Sequence, residues 1–124
     1  MQFLTELIAI IDQRLSQPAH RASYVARLDQ KGINAMVQKC GEEACEVVIA
    51  AKDYAQNPQD ATLRGLLVNE SADLLFHHLI VLRKLGLSFD EVIDELENRA
   101  RKGEASRRAD VSTQVRQKTD SKQH

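Results

Sequence analysis

The sequence predicts an all-α protein, built as an antiparallel bundle of about four helices. Good helix formers such as Ala, Leu, Glu, Lys and Arg are common, whereas glycine (5) and proline (2) are scarce. Apolar residues recur every three or four positions over most of residues 1–100, and no stretch shows the alternation typical of a strand. The 124 residues, 43% of them hydrophobic, suit one domain with a modest core.

The first two helices are predicted from apolar stripes. Residues 2–16 carry such a stripe, which stops before Pro18. The polar segment 17–30 is predicted to be a connection that can include a helical turn. The second helix is predicted over residues 31–54. Its stripe consists of Ile33, Met36, Val37, Cys40, Ala44, Val47, Val48 and Ala51.

The third helix is predicted over residues 60–85, after the turn "AQNPQ". Asp60 is placed to cap its first N–H groups, and Gly86 is a suitable residue to end it. Ser88 then begins a fourth helix, in which Glu91 stands at the spacing of a capping box. Short connections of this kind make neighbouring helices antiparallel.

The charge distribution divides the chain into an acidic body and a basic tail. Residues 1–98 carry nine Lys or Arg against fifteen Asp or Glu, and residues 99–124 carry eight against three. The apolar pattern ends near residue 100, so we predict an all-α domain over 1–100 and a flexible polar tail over 101–124. The acidic body and the 4% aromatic content argue against a nucleic-acid partner.

The chain is predicted to be cytoplasmic and not to enter a membrane. Its N-terminus, "MQFLTELIAIIDQRL", lacks the basic start and the small-residue cleavage site of a signal peptide. The longest apolar run, "ADLLFHHLIVL", is too short for a membrane span and is interrupted by polar residues. Much of this run would stay uncovered in a monomer, so we predict a homodimer that buries it.

Three glutamates of the second helix lie close together in the stretch "GEEACE". At about 100° per residue, a helical wheel puts Glu43 about 80° and Glu46 about 140° from the centre of the apolar stripe, on the same side. Glu42 lies nearly opposite the stripe. Glu43 and Glu46 can therefore point into one cleft, while Glu42 is expected in solvent or at the edge of the cleft.

The third helix repeats this arrangement with Glu70, Asp73 and His77, at positions i, i+3 and i+7 along one flank of its leucine-rich stripe. His77 can hydrogen-bond Asp73, four residues before it, and so orient that carboxylate. The alternative is a structural histidine at a helix interface.

The carboxylates of the two helices are predicted to face each other, because they lie at similar depths from the turn that joins the helices. Two facing carboxylate pairs suit a hard divalent cation such as Mg²⁺. A zinc site would need converging Cys or His ligands, and a di-iron site would need Glu-x-x-His motifs. An acidic helix face that is merely solvated is the alternative to a metal site.

Longer stretches of the chain are similar to those of a known family. They are "ASYVARLDQKGINAMVQKCGEEACEVVIAAK" and "NESADLLFHHLIVL". With them the chain resembles the phosphoribosyl-ATP pyrophosphatases of histidine biosynthesis over about residues 3–100. That family belongs to an all-α nucleotide pyrophosphohydrolase superfamily, which includes the MazG-like enzymes. The superfamily pattern, E-E-x-x-E followed by E-x-x-D, is also met.

The resemblance implies Mg²⁺-dependent hydrolysis of the α–β phosphoanhydride of 1-(5-phosphoribosyl)-ATP, which gives 1-(5-phosphoribosyl)-AMP and pyrophosphate. It implies catalytic roles for the carboxylates of the two motifs, which are Glu42, Glu43, Glu46, Glu70 and Asp73. The last four are expected to hold the metal. Glu42 is expected to orient water or to complete the shell of a second ion.

Several residues are candidates for binding this polyanionic substrate. Lys31, Lys39 and Lys52 flank the acidic motif and could neutralise phosphates, although each could also be ordinary surface charge. Ser23 and Tyr24 are carried over from the family pattern as substrate-binding residues. The alternative for these two is a helix N-cap and a packed aromatic ring.

Two other functions are compatible with the sequence. The first is a general MazG-like nucleoside triphosphate pyrophosphohydrolase, against which the "SY…L…KG" segment argues. The second is a non-enzymatic helical dimerisation module whose acidic face is solvated. In such a module, Mg²⁺ would leave the melting temperature unchanged.

Overall fold

The computed structural model describes residues 2–17 and 23–121, and in these ranges it contains helices and turns but no strand. The helices are α1 (Gln2–Leu15), α2 (Tyr24–Lys31), α3 (Ile33–Gln56), α4 (Ala61–Lys84) and α5 (Phe89–Ser121). The predicted all-α class is confirmed. The described residues hold five helices rather than about four, because a short helix precedes α3.

Helices α1 to α4 belong to one compact unit, Met1–Leu87, and α5 belongs to a second, Ser88–His124. In the first unit α3 packs along α4, α1 contacts α2 and α4, and α2 contacts α3. All four helices contribute to the core. Its buried apolar residues are Ile11, Val25, Ala26, Leu28, Met36, Ala50, Leu79, Ile80 and Leu82. Burying one leucine or isoleucine side chain contributes roughly 1.5–3 kcal/mol, so this core holds the acidic α3–α4 pair in place.

Helices α3 and α4 form a hairpin around the turn at residues 57–60. Asp60 caps α4 as predicted. Its carboxylate accepts hydrogen bonds from the N–H groups of Thr62 at 2.9 Å and Leu63 at 3.1 Å. A short turn with a capped exit fixes which residues of the two helices face each other.

A glycine closes the end of α4. Gly86 has a φ of +78°, a left-handed conformation that is costly for residues with a Cβ atom. Its N–H donates to the carbonyl of Arg83 at 3.2 Å, and the N–H of Leu87 donates to that of Leu82 at 2.9 Å. These two bonds form a Schellman motif. The predicted stop at Gly86 is confirmed.

The segment before α3 contains more helix than predicted. The 8-residue helix α2 stands where a connection that can include one helical turn was expected, and Gly32, with a φ of +93°, separates it from α3. The helix forms because Val25 and Ala26 are buried and because the Ser23 hydroxyl accepts the Ala26 N–H at 3.1 Å. The rest of the predicted connection, residues 18–22, lies outside the described residues.

Two ion pairs link the C-terminal end of α4 to other helices. Arg83 donates from Nε and Nη2 to the two carboxylate oxygens of Asp12 on α1, at 2.7 and 3.0 Å. The Nζ atom of Lys84 lies 2.6 Å from Asp29 on α2. Partly exposed pairs add little net stability, but a bidentate pair fixes geometry. These contacts therefore hold α1 and α2 against one end of α4.

Among the described helices, α4 is the one that is long and apolar enough to cross a membrane by length and composition. A core helix of a helical protein passes the same test. The ionisable residues Glu70 and Asp73 near its middle would be costly in a bilayer. Packing against α3 and α1 buries Leu79, Ile80 and Leu82 of α4, whereas Leu66, Val68 and Leu75 remain exposed.

Helix α5 starts as predicted but is longer. The Ser88 N–H donates to the Glu91 carboxylate at 2.8 Å, and the Glu91 N–H donates to the Ser88 hydroxyl at 3.3 Å, which confirms the capping box. The apolar pattern ends near residue 100, but the helix does not end with it, because α5 continues to Ser121. Ion pairs three or four residues apart, such as Glu95–Arg99, favour helix without an apolar stripe. The flexibility of residues 101–124 stays a prediction.

Candidate active site

The central glutamate of the site lies on the most buried line of α3. Met36, Glu43 and Ala50 are the buried residues of this helix, and their spacing of seven puts them on one line. Glu43 is 8% exposed. The helical wheel put Glu43 about 80° from the centre of the apolar stripe. That prediction is wrong, since Glu43 lies at the centre of the buried face. Helix α3 has a second apolar face, on its exposed side. Because the predicted stripe combined residues of both faces, its centre did not coincide with the buried face.

Three carboxylates from α3 and α4 converge. Glu43, Glu46 and Glu70 each offer an oxygen atom, and these atoms all lie within 4.8 Å of one another. We call them the carboxylate cluster. The Nδ1 atom of His77 lies 3.9 Å from Glu43. Glu46 of α3 faces Glu70 of α4, whereas Glu43, earlier in α3, faces His77, later in α4. The two helices therefore run in opposite directions, and the predicted antiparallel arrangement is confirmed.

Two oxygens of the carboxylate cluster are buried without a hydrogen-bond donor among the described residues. They are Oε2 of Glu43 and Oε2 of Glu70. Buried polar atoms in proteins are normally paired, and a buried charge normally has an opposite charge or a metal beside it. The donor set therefore fits a cation that binds oxygen ligands.

The crowding of the carboxylates changes their proton affinity. Burial raises the pKa of Glu43 above its ordinary value, and the neighbouring carboxyls of Glu46 and Asp73 raise it further. The pKa of Glu70 is raised from 4.5 to about 7, first by a hydrogen bond to Glu46, then by burial and by the surrounding negative charge. Such a hydrogen bond needs a shared proton, which a divalent cation can replace.

Asp73 lies beside the carboxylate cluster but outside the group of three. It is half-buried on α4, and its charge raises the pKa of both Glu43 and Glu70. We expected its carboxylate to converge with the others and to be oriented by His77. The bond from His77 goes instead to the backbone carbonyl of Asp73, at 2.9 Å from Nδ1.

His77 is buried, with 7% of its surface exposed, and both of its ring nitrogens have partners. Nδ1 faces the carbonyl oxygen of Asp73, and Nε2 lies 2.6 Å from the hydroxyl of Tyr24. A carbonyl oxygen can only accept, so Nδ1 carries a hydrogen. In the neutral ring Nε2 then accepts from the Tyr24 hydroxyl. This pair of bonds joins α2 to α4 at the edge of the site.

Tyr24, Phe76 and His77 form an aromatic group. The Tyr24 ring stacks on Phe76 with centroids 6.4 Å apart and meets His77 edge-on at 5.6 Å. Tyr24 is thus a packed aromatic residue, but it is also 39% exposed. The bond between Tyr24 and His77 joins residues far apart in the chain, so no local sequence pattern could have revealed it.

Lys39, one of the basic residues predicted to bind phosphate, contacts the acidic motif. Its Nζ lies 3.4 Å from the carboxylate of Glu42, which also accepts a hydrogen bond from Gln38 at 3.3 Å. The bond to Glu42 and the charge of Glu42 raise the pKa of Lys39. Glu42 is exposed, as the helical wheel predicted, and Lys31 and Lys52 are exposed as well.

The second apolar face of α3 is open to solvent. Val48 and Ile49 are 58% and 61% exposed, and with Ala44 and Cys45 they line a concavity of about 380 Å³. We call these four residues the α3 apolar face. The prediction that Val48 belongs to the inward stripe is wrong within the single chain, because hydrophobicity alone does not show which of two apolar faces packs internally.

The fold and the site together define an all-α protein in which an antiparallel helix pair carries a carboxylate cluster suited to a hard divalent cation. Comparison with known proteins identifies the family. A model of the phosphoribosyl-ATP pyrophosphohydrolases matches residues 4–100. The chain belongs to this family.

Curated relatives named phosphoribosyl-ATP pyrophosphatase are similar over most of the chain. The protein of Variovorax paradoxus (strain S110) is 50% identical over 100 residues, which cover 77% of this chain and 75% of the relative. That of Polaromonas sp. (strain JS666 / ATCC BAA-500) is 47% identical over 100 residues, or 77% of each chain. That of Burkholderia cenocepacia (strain HI2424) is 47% identical over 96 residues, covering 77% and 75%. The family resemblance seen in the sequence is confirmed.

Proposed function

We propose that the chain hydrolyses 1-(5-phosphoribosyl)-ATP at its α–β phosphoanhydride to give 1-(5-phosphoribosyl)-AMP and pyrophosphate, the second step of histidine biosynthesis. Membership of the phosphoribosyl-ATP pyrophosphohydrolase family supports this reaction. The observation that carries the proposal is the convergence of Glu43, Glu46 and Glu70, with two of their oxygens buried and lacking a donor among the described residues. Polyphosphate hydrolysis requires such a group, because cations must be held beside the phosphates.

Mg²⁺ is the proposed cofactor. Its preference for oxygen ligands matches a site made of carboxylates. We assign Glu43, Glu46 and Glu70 as ligands. We assign Asp73 as the fourth, because it is half-buried on α4 and lies three residues after Glu70, on the same side of the helix. When bound, Mg²⁺ supplies positive charge to the phosphate oxygens and lowers the pKa of water.

The acidic residues divide into fixed and exposed positions. Glu43 is held in the core between α3 and α4, so it fixes where the phosphates are placed. Glu42 is exposed at the edge, where Gln38 and Lys39 hold its carboxylate. We assign Glu42 to the orientation of the attacking water, for which a carboxylate acceptor is suited.

The basic and aromatic residues are assigned to the substrate. Lys39 can exchange its contact with Glu42 for a phosphate oxygen, since both partners are anions. Lys31 and Lys52 are exposed and complete the proposed phosphate-binding set. Tyr24 offers a partly exposed ring. The Ser23 hydroxyl caps α2, so its contribution is to hold the start of the helix that carries Tyr24.

The enzyme is proposed to work as a homodimer in the cytoplasm. The α3 apolar face supports a dimer, because a second copy would remove these side chains from water. The acidic body supports the absence of a nucleic-acid partner. The ionisable residues midway along α4 support a location outside the membrane.

A substrate comparison tests the function. Purified protein is incubated with 1-(5-phosphoribosyl)-ATP or with dATP, in Mg²⁺ or in excess EDTA, and released pyrophosphate is measured. We expect release from phosphoribosyl-ATP that requires Mg²⁺. Faster release from dATP would instead indicate a general nucleoside triphosphate pyrophosphohydrolase. No release from either substrate, with no change of melting temperature on adding Mg²⁺, would indicate a non-enzymatic helical module.

A further inference from the structure

We propose that His77 is a positioning residue, which holds the Tyr24 ring at the edge of the carboxylate cluster through the neutral tautomer with its hydrogen on Nδ1. The inference rests on the proposed function and adds His77 to the proposed active site as a residue that acts through Tyr24. His77 is 7% exposed, whereas Tyr24 is 39% exposed. Of these two rings, that of Tyr24 is therefore the one presented to a substrate.

The tautomer follows from the two partners of the imidazole. The carbonyl oxygen of Asp73, 2.9 Å from Nδ1, can only accept a hydrogen bond. In the neutral ring, Nε2 is then the acceptor for the Tyr24 hydroxyl at 2.6 Å. Edge contact with the Phe76 ring, at a centroid distance of 5.6 Å, further fixes the plane of the imidazole. The ring thus has one orientation, set from three sides.

The bond to His77 fixes one end of a short helix. Helix α2 is 8 residues long and starts at Tyr24. Its other end is held through Asp29, which pairs with Lys84 at 2.6 Å. Val25 and Leu28 bury its apolar face between these two links. Removal of the hydroxyl–imidazole bond therefore leaves α2 docked but lets the Tyr24 ring change its position.

The exposed part of the Tyr24 ring borders the place proposed for the phosphates. The Tyr24 hydroxyl lies 2.6 Å from Nε2 of His77, and Nδ1 of the same imidazole lies 3.9 Å from the Glu43 carboxylate, so one imidazole ring separates the hydroxyl from the carboxylate cluster. Aromatic rings stack on nucleobases at about 1–3 kcal/mol per base. We therefore assign the purine base of the nucleotide as the partner of this ring. Loss of its position should weaken substrate binding more than it slows the chemical step.

Two substitutions of His77 separate its two bonds. Asn at position 77 can keep a donor near Nδ1 but leaves the Tyr24 hydroxyl without its acceptor, whereas Gln can place an acceptor near Nε2. We expect His77→Asn and Tyr24→Phe each to raise the KM for phosphoribosyl-ATP about fivefold, with kcat within about twofold, because one hydrogen bond is lost. His77→Gln should restore the KM to within about twofold of the wild type.

A double variant shows whether the two residues act as a unit. If His77 acts through Tyr24, the combination of Tyr24→Phe with His77→Asn should raise the KM no further than either change alone. Tyr54→Phe and His78→Asn repeat the same chemistry at the half-buried second tyrosine and at the exposed neighbouring histidine. These controls should keep the wild-type KM.

Imidazole ¹⁵N NMR of the metal-free protein supplies a readout without catalysis. The His77 signals, assigned by their loss in His77→Asn, should show a protonated Nδ1 and an unprotonated Nε2, and Tyr24→Phe should shift the Nε2 signal. Additive KM effects, or a hydrogen on Nε2 in the neutral ring, would overturn the inference. If the wild type releases no pyrophosphate, the proposed function fails, while the ¹⁵N signals still decide the tautomer and its link to Tyr24.

Discussion

Glu43 is a carboxylate in the position of a core residue. It lies between Met36 and Ala50 on the buried line of α3, and burial beside other carboxyls raises its pKa. A buried charge among like charges lowers stability, and proteins keep such an arrangement chiefly at functional sites. Substitution of Glu43 should therefore change stability and activity in opposite directions, and both can be measured.

Replacement of Glu43 by Gln should make the metal-free protein more stable and the enzyme inactive. The amide removes the like-charge repulsion, so we expect the melting temperature to rise by roughly 2–4 °C. Pyrophosphate release should fall at least about 100-fold, because one fixed ligand is lost. Added Mg²⁺ should no longer raise the melting temperature. Glu6→Gln, at an exposed position of α1, is the matched control and should change neither property. A lower melting temperature for Glu43→Gln would contradict this account.

Glu70 should give the metal-free protein a pH dependence of defined sign. Its pKa is raised from 4.5, the value expected in the unfolded chain, to about 7 in the fold, so the folded state binds more protons between these values. The free energy of unfolding contributed by Glu70 is therefore highest below pH 4.5, falls as the pH rises towards 7, and is level above.

Urea unfolding at several pH values measures this contribution as the difference between the wild type and Glu70→Gln. The difference should change across the stated window in EDTA and should become nearly constant in saturating Mg²⁺. A wild type that gains stability relative to Glu70→Gln as the pH rises from 4.5 to 7 would show that the pKa is not raised.

At the scale of residues, the sequence was enough to select the acidic positions but not to describe their surroundings. Glu43, Glu46 and Glu70 converge because motif spacing and turn length are local properties. The depth of Glu43 and the contact of Tyr24 with His77 depend on which faces of the helices pack together. Those choices are made by the whole core, so no single stretch of sequence encodes them.

At the scale of elements, the helix ends that carry a capping residue were predicted best. Asp60 and Gly86 act through hydrogen bonds within a few residues, so their chemistry can be read from the sequence. Helix α2 was missed because its burial against α1 and α3 is a tertiary effect. The length of α5 was missed because its ion pairs, rather than an apolar stripe, favour the helical conformation.

The Schellman motif at the end of α4 predicts the effect of Gly86→Ala. A Cβ atom at φ +78° strains the backbone although no atom lies within 4 Å of its position, so we expect a loss of about 1 kcal/mol in the free energy of unfolding. Gly86→Asn should lose less, because Asn tolerates the left-handed region. Gly103→Ala, at an exposed helical position, is the control and should not destabilise. Urea unfolding measures all three variants, and equal stability of Gly86→Ala and the wild type would argue against the motif.

At the scale of the whole molecule, α3 carries an apolar face that the described part of the chain leaves exposed. Met36 and Ala50 pack inside the chain, whereas Val48 and Ile49 on the same helix are more than half exposed. The hydrophobic stripe identified in the sequence of α3 contains residues of both the buried and the exposed apolar face. The internal face could therefore not be located from the sequence alone, and the exposed face is the observation on which the proposed homodimer rests.

Ile49→Lys should break the proposed homodimer. A charge in the α3 apolar face would have to be buried on association, so sedimentation equilibrium should show a mass falling from twice the chain mass to the single value of 14.0 kDa. Asp53→Lys, an exposed position on the same helix, is the control and should leave the mass at the dimer value. A wild type that sediments as a monomer at micromolar concentration would refute the proposed assembly.

The hairpin also limits how this protein can change through evolution. The acidic residues proposed for the site lie on α3 and α4, on either side of the turn at residues 57–60. One residue inserted in α4 before Glu70 would rotate every later side chain by about 100° around the helix axis. Both helices would still fold, but Glu70 would no longer face Glu46. Natural selection should therefore remove insertions within the hairpin, so that lineages inherit a hairpin of constant length.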